Sequence, residues 1–192
     1  MTKDKIKAVS LKLFTEYGYD GTTLSEIARI VGIQKPSIYN HFKSKEDLYL
    51  CLFESILGEH IYNINQLIKE IHELSPKEKL KCILLDTCKY YKHHEDESAF
   101  LKRAMIFPPK HLKHILNERF LSSEASFSSI LHAIFLEGIE KKEIRSGNIE
   151  NLIMSYLCLI DGIFIEFSYY GPEKMESRIQ SIWDNFWFGI GE

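Results

Sequence analysis

Apolar side chains recur along this chain at intervals of three and four residues, with polar ones between them, from end to end. That spacing lines one face of a 3.6-residue helix. Ile6, Val9, Leu13, Phe14 and Tyr17 share the first such face, and Gly18 supplies a C-terminal stop. Leu24, Ile27, Ala28 and Val31 form the second; Thr23 with Glu26 makes a capping box at its start and Gly32 ends it. A short third helix follows, with Pro36 in its first turn, where a missing N–H costs nothing, and Ile38 and Phe42 toward the core. Ser44 then caps a long helix whose first turn carries Glu46 and Asp47, favourable to the helix dipole. The pattern carries it to about Leu74, where Ser75-Pro76 breaks it.

Helical spacing continues beyond that break. Leu80, Ile83, Leu84, Thr87, Cys88 and Tyr91 mark a helix ending near the polar run from His93 to Glu97. A short helix over about 98–107 stops at Pro108-Pro109, and a long one continues to about Glu143, with an interruption expected near Ser122-Ser123. Arg145 to Asn148 reads as a turn, Ile149 to Tyr170 as a helix, Gly171-Pro172 as a break, and the remainder to about Phe188 as a last helix. Neither strand alternation nor a hairpin turn signal appears. The expected fold is all-α, with about nine helices.

Composition changes this picture little. With 192 residues, 45% hydrophobic and 27% charged, the chain can bury a substantial core and has ordinary globular usage. No basic stretch followed by an apolar one opens it, and the longest apolar stretch, Leu152 to Phe167, carries Asp161 and Glu166, which reads as too short and too charged for a membrane span. Cys51, Cys82, Cys88 and Cys158 are dispersed and read as reduced, buried thiols, so a cytoplasmic location without cofactor or membrane partner is expected. The net charge of −3 argues against nucleic acid, yet residues 1–47 hold eight Lys/Arg against six Asp/Glu and residues 48–192 sixteen against twenty-one. A mildly basic head and an acidic body suit a head that meets an anion.

The head has chemistry to match. A capped helix, a tight glycine turn and a short second helix describe a helix-turn-helix. Gln34, Lys35, Ser37, Tyr39, Asn40 and His41 lie off the Ile38/Phe42 face. Gln and Asn pair with adenine edges, Lys with guanine O6 and N7, and Ser with several acceptors. Tyr39, His41 and Lys45 carry donors suited to phosphate oxygens, and Thr23 opens a helix whose first N–H groups favour an anion. The plain alternative for such a helix is a solvated surface face.

The stretch LFTEYGYDGTTLSEIARIVGIQKPSIYNHFKSKEDLY, Leu13 to Tyr49, resembles the DNA-binding domain of the TetR (tetracycline-repressor-like) family of bacterial regulators. The matching positions include Phe14, Gly18, Tyr19, Thr23, Leu24, Ile27, Ala28, Gly32, Ile38, Tyr39, Phe42, Ser44 and Lys45, without a gap. The resemblance implies that residues 1–47 form a DNA-binding domain and residues 48–192 a helical ligand-binding and dimerisation domain. It implies base reading at Gln34, Lys35, Pro36, Ser37 and Asn40, and phosphate contacts from Tyr39 and Lys45. Pro36 stands where the family more often has a small residue. A repressor of a palindromic operator, released by a small-molecule inducer, is the implied function, with an activator as the alternative.

The body fits pairing on its own terms. The helix from Ile149 to Tyr170 is apolar on one face and also carries Met154, Cys158 and Ile165 on the other, beside Asp161. Ile179, Ile182, Trp183 and Phe186 form a wide stripe on the last helix. Two such helices from each of two chains would make a four-helix interface, and a single monomeric core is the alternative. Tyr90, Tyr91, His94, Phe100, Met105, Phe107, Tyr156 and Phe164 border the apolar faces of the central helices and are candidates to line an effector pocket, or else plain core. Such a pocket suits an apolar or amphipathic effector, and Asp161 with Glu166 hints at a cationic one. The run His93-His94-Glu95-Asp96-Glu97 and the pair His111/His114 lack a metal-enzyme spacing and read as a solvated turn and an exposed helix face. An enzyme or a helical scaffold would be the remaining classes, and no catalytic residue is assigned.

Overall fold

Local capping chemistry sets several of the helix starts in this computed structural model, which describes residues 2–192 apart from the side chain of Pro172. The elements are α1 (Thr2–Gly21), α2 (Leu24–Val31), α3 (Lys35–Ile38), α4 (Lys45–Glu70), α5 (Pro76–His93), α6 (Glu95–Ile106), α7 (Lys113–Glu140) and α8 (Ile149–Ile190). Gly18, with φ 76°, interrupts α1 near its end, and Gly171, with φ 72°, divides α8 into two long arms; counted with α8 as two, the described residues hold nine helices and are 83% helical. Strand-type pairing among them is limited to an isolated bridge between Ile144 and Gly191.

The Thr23 hydroxyl accepts from Glu26 N at 3.2 Å, and the Ser44 hydroxyl accepts from Asp47 N at 3.0 Å while Asp47 Oδ2 accepts from Lys43 N at 2.7 Å. Gly32 takes the left-handed conformation (φ 81°) that ends α2. Three boundaries differ from the sequence expectation. α4 stops at Glu70, because Ser75 and Glu78 form a capping box that starts α5 and residues 71–75 make the turn into it. α6 begins at Glu95, so the acidic run forms its first turn, where three carboxylates suit the dipole. α7 runs unbroken through Ser122-Ser123.

By packing, the chain forms two units. The first comprises the residues up to His60 together with His94–Ser123, and so takes in more of the chain than the head of 1–47 expected from sequence. Its core is Ile6, Phe14, Ile27, Ile38, Leu48, Tyr49, Phe53 and Phe100, all buried. Tyr17, expected on the core face, is half exposed. The second unit comprises Ile61–His93 and Glu124–Glu192. Its core joins Ile83 and Leu84 of α5 and Leu131 and Phe135 of α7 to Tyr156, Ile163, Met175 and Trp183 of α8. The Tyr156 hydroxyl, fully buried, donates to the Leu80 carbonyl at 2.6 Å and so satisfies its one polar atom.

A nearly buried cation braces the same unit. Lys79 Nζ donates to Glu137 Oε2 at 2.7 Å, and Lys141 Nζ to Oε1 at 2.6 Å. The hydrogen bond from Lys141, then that from Lys79, holds the Glu137 carboxyl below its ordinary 4.5. Its contribution is therefore complete above the ordinary carboxylate range and is lost as pH falls through the depressed folded value. Glu137→Gln should lower unfolding free energy by about 1–3 kcal/mol at pH 7 in urea titrations, and the difference from the unchanged chain should close under strongly acidic conditions.

Candidate nucleic-acid interface

α3 is held by its apolar residues and displayed by its polar ones. Ile38 is 0% and Phe42 2% exposed, and both sit in the core of the first unit. Gln34, Lys35, Pro36, Tyr39, Asn40 and His41 are exposed and Ser37 is half-buried. The regular helix is only four residues long. Bonds from Ser37 N to Gln34 O (2.8 Å), Tyr39 N to Pro36 O (3.1 Å) and Phe42 N to Ile38 O (3.0 Å) carry a tight coil on through residues 39–42. Pro36 has no N–H to satisfy at that start, and Gln34, extended, makes no capping bond with its side chain. All five residues expected to meet bases thus lie on one short, rigidly seated segment.

The residues expected at phosphates fare differently. Tyr39 and His41 are exposed on the same segment. Thr23 is exposed too, although its hydroxyl is engaged as the α2 cap. Lys45 is half-buried and points elsewhere: Nζ donates to Tyr19 O at 2.7 Å and to Thr22 O at 3.0 Å and stands 4.1 Å from the centre of the Tyr19 ring. Burial lowers its pKa. Two of its three donors are therefore taken inside the protein. Sequence reasoning also missed Lys3, whose Nζ lies 5.5 Å from the centre of the Phe42 ring, and the exposed Lys43 and Arg29. A contact spanning 39 positions leaves no local signature, whereas the exposed cations were visible as unassigned charge.

In the second unit the residues expected at a dimer interface divide. Met154 is 59% exposed, Cys158 and Asp161 are exposed and Ile165 is half-buried; together with Glu124, Leu157, Gly162 and Glu166 they line an open groove. Ile182 and Phe186, both half-buried, line a second groove with Leu159, Arg178 and Asn185. Ile179 and Trp183 correct the expectation, being 7% and 2% exposed within the core of their own chain. The stripe was wide enough for two faces, and the inward one, Met175, Ile179, Trp183 and Ile190, is used internally. The stretch from Ile149 to Gly171 is longer than expected and passes by length and mean hydropathy (1.5) as a span, but one of its faces is core. Of the four cysteines only Cys88, its thiol pushed up to about 12 by burial, is buried as expected; Cys158 is exposed.

The residues proposed for a pocket fall into both units. Tyr91 and Phe164 are in ring contact at 4.6 Å in the second unit, with Tyr90 and Phe167 beside Tyr91. Tyr156 is core there, as Phe100 is in the first unit, where its ring lies 4.9 Å from Tyr49. Phe107 is 77% exposed, and His94 and Met105 are half-buried. The hint of a cationic effector loses Glu166, whose carboxylate is held by Arg178 through bonds of 2.8 and 3.0 Å. Among the described residues no group of His, Cys, Asp and Glu could hold a metal.

A sequence model described as "Bacterial regulatory proteins, tetR family" matches residues 6–52, which include α2, α3 and the start of α4. The HTH-type negative transcriptional regulator of the biofilm operon, IcaR, of Staphylococcus aureus (strain Newman) is 55% identical over 68 residues, 33% of this chain and 37% of that protein. An uncharacterized HTH-type transcriptional regulator, YerO, of Bacillus subtilis (strain 168) is 29% identical over 72% of this chain and 48% of its own length. The chain thus spans about half or less of the length of these curated relatives. The crystal structure of FadR from Bacillus subtilis in complex with stearoyl-CoA shares the fold, with a TM-score of 0.76 and 21% identity over 95% of this chain and 96% of that one. Residues 6–52 thus match the tetR family of bacterial regulatory proteins, part of the chain is similar to relatives named as HTH-type regulators, and its fold is shared over nearly its whole length.

Proposed function

We propose that this chain is a cytoplasmic DNA-binding repressor that holds a palindromic operator as a homodimer and releases it when a small molecule occupies its helical bundle. One observation carries the reading: the segment of residues 34–42 that contains α3 buries Ile38 and Phe42 while leaving Gln34, Lys35, Asn40 and His41 to solvent. A short helix of that kind fits the major groove, with Gln34, Lys35, Ser37 and Asn40 at base edges, Pro36 against them, and Tyr39 and His41 at phosphates. The repressor sign is supported by IcaR being named a negative regulator.

One such head offers few base contacts, and pairing doubles them, with half-sites about one helical turn (~34 Å) or more apart. The exposed face of α8 around Met154, Cys158, Asp161 and Ile165 is the surface we assign to pairing. For the effector, an apolar or amphipathic molecule is favoured by the aromatic residues Tyr91 and Phe164, and the relative FadR was crystallised with stearoyl-CoA. Coupling between effector and operator would run along α4, one continuous helix that begins just after α3, and would amount to about 1–3 kcal/mol.

Retention of double-stranded DNA fragments at low and then higher salt tests the DNA reading. Selection of a palindrome, with affinity falling steeply as salt rises, is expected; no selective retention at any salt contradicts it. Lys35→Ala should weaken the selected site and relax its sequence at one position per half-site, by about 1–3 kcal/mol per contacted base. Sedimentation equilibrium should give twice the chain mass of 22.5 kDa, and Met154→Lys should shift it toward a single chain while weakening operator binding.

A further inference from the structure

The stretch that carries α3 is basic although the chain as a whole is not. From Ile27 to Lys45 the sequence holds Arg29, Lys35, Lys43 and Lys45 and neither Asp nor Glu, in a chain of net charge −3. A strip of one sign within an acidic chain suits an anionic partner. α1, in the same unit, adds to it. Of the α1 lysines, Lys7 donates Nζ to Ser55 Oγ at 2.7 Å, and Lys12 Nζ lies 4.0 Å from an Asp96 carboxylate oxygen. Lys3 instead reaches the end of the segment 34–42: its Nζ stands 5.5 Å from the centre of the Phe42 ring, within range of a cation–π attraction. Lys43 follows Phe42 directly, with its backbone N–H donated to Asp47 Oδ2 and its side chain exposed. Lys3 is exposed as well, and neither ammonium has an ion-pair partner among the described residues.

Helix stability does not account for either charge. Lys3 lies in the first turn of α1 and Lys43 two residues before α4 begins, and at those ends a cation opposes the helix dipole. The stem of Lys3 can cover the Phe42 ring, but that contact needs no charge at its tip. We propose that Lys3 and Lys43 contact backbone phosphates of the operator beside the bases met by residues 34–40, so that α1, which lies outside the helix-turn-helix, is part of the DNA interface. The inference rests on the DNA-binding reading above. Phe42 is itself a buried anchor of the segment, so a cation against its ring and a cation next to it in sequence keep their place relative to the base-reading side chains. Such contacts fix register and add affinity for any sequence without reading one.

Lys3→Met and Lys43→Met keep an apolar stem and remove the charge. Affinity is measured at several salt concentrations for a duplex that the unchanged chain selects and for an unrelated duplex of equal length, with circular dichroism confirming that each variant is folded. Each variant should weaken both duplexes by the same factor, about five- to ten-fold for each bound copy near 0.1 M salt. Each should also lower the slope of log affinity against log salt by about 0.9 per bound copy. Lys3→Arg should restore affinity and slope together. Lys5→Met removes an exposed charge two positions along α1, on a different face, and should change neither. An unchanged slope in folded Lys3→Met or Lys43→Met, a loss confined to the selected duplex, or an equal loss in Lys5→Met overturns the proposal. If the unchanged chain retains neither duplex at any salt, the DNA-binding reading falls and these contacts fall with it.

Discussion

Ile38 and Phe42 are one helical turn apart, and the burial of that pair is the contact on which the presentation of α3 depends. A four-residue helix has almost no stability of its own, because nucleation orders several residues for each hydrogen bond gained. Anchored at these two points, it can leave every other side chain polar. The same burial separates a recognition segment from a solvated turn: the polar face is held at a fixed angle rather than merely allowed.

Around those anchors the first unit is built from rings and caps. Phe14, Tyr49 and Phe100 meet one another at centroid distances of 4.9 to 6.4 Å, and Tyr19 stands edge-on to Tyr49 at 5.2 Å. Burial pushes the Tyr49 hydroxyl up to about 12, so it stays neutral in this setting. These rings join α1, α4 and α6 in one core, into which Ile38 of α3 is also buried.

What could be read from the chain alone was whatever acts within four residues. Thr23 with Glu26 and Ser44 with Asp47 are local pairs, and both caps formed. The five residues expected to read bases lie together because they are consecutive on one anchored segment. The bonds that Lys45 and Arg103 make to backbone carbonyls near the end of α1 were not legible, since their partners lie 23 to 88 positions away. Trp183 and Ile179 went to their own core because periodicity reports that a face is apolar but not which surface covers it. Ser122-Ser123 suggested an interruption that did not occur. Serine can remain inside a helix by bonding back to the preceding turn, as Ser129 does to Ala125 O at 3.0 Å.

The central claim is that residues 34–41, seated by Ile38 and Phe42, are the part of this chain that meets DNA. Amide chemical-shift mapping by NMR, with a selected palindromic duplex titrated into the intact protein, tests it most directly. The account predicts the largest changes at Gln34, Lys35, Ser37, Tyr39, Asn40 and His41, with smaller ones at the start of α2 around Thr23. Changes centred on α5 or α8, with residues 34–41 silent, would contradict it.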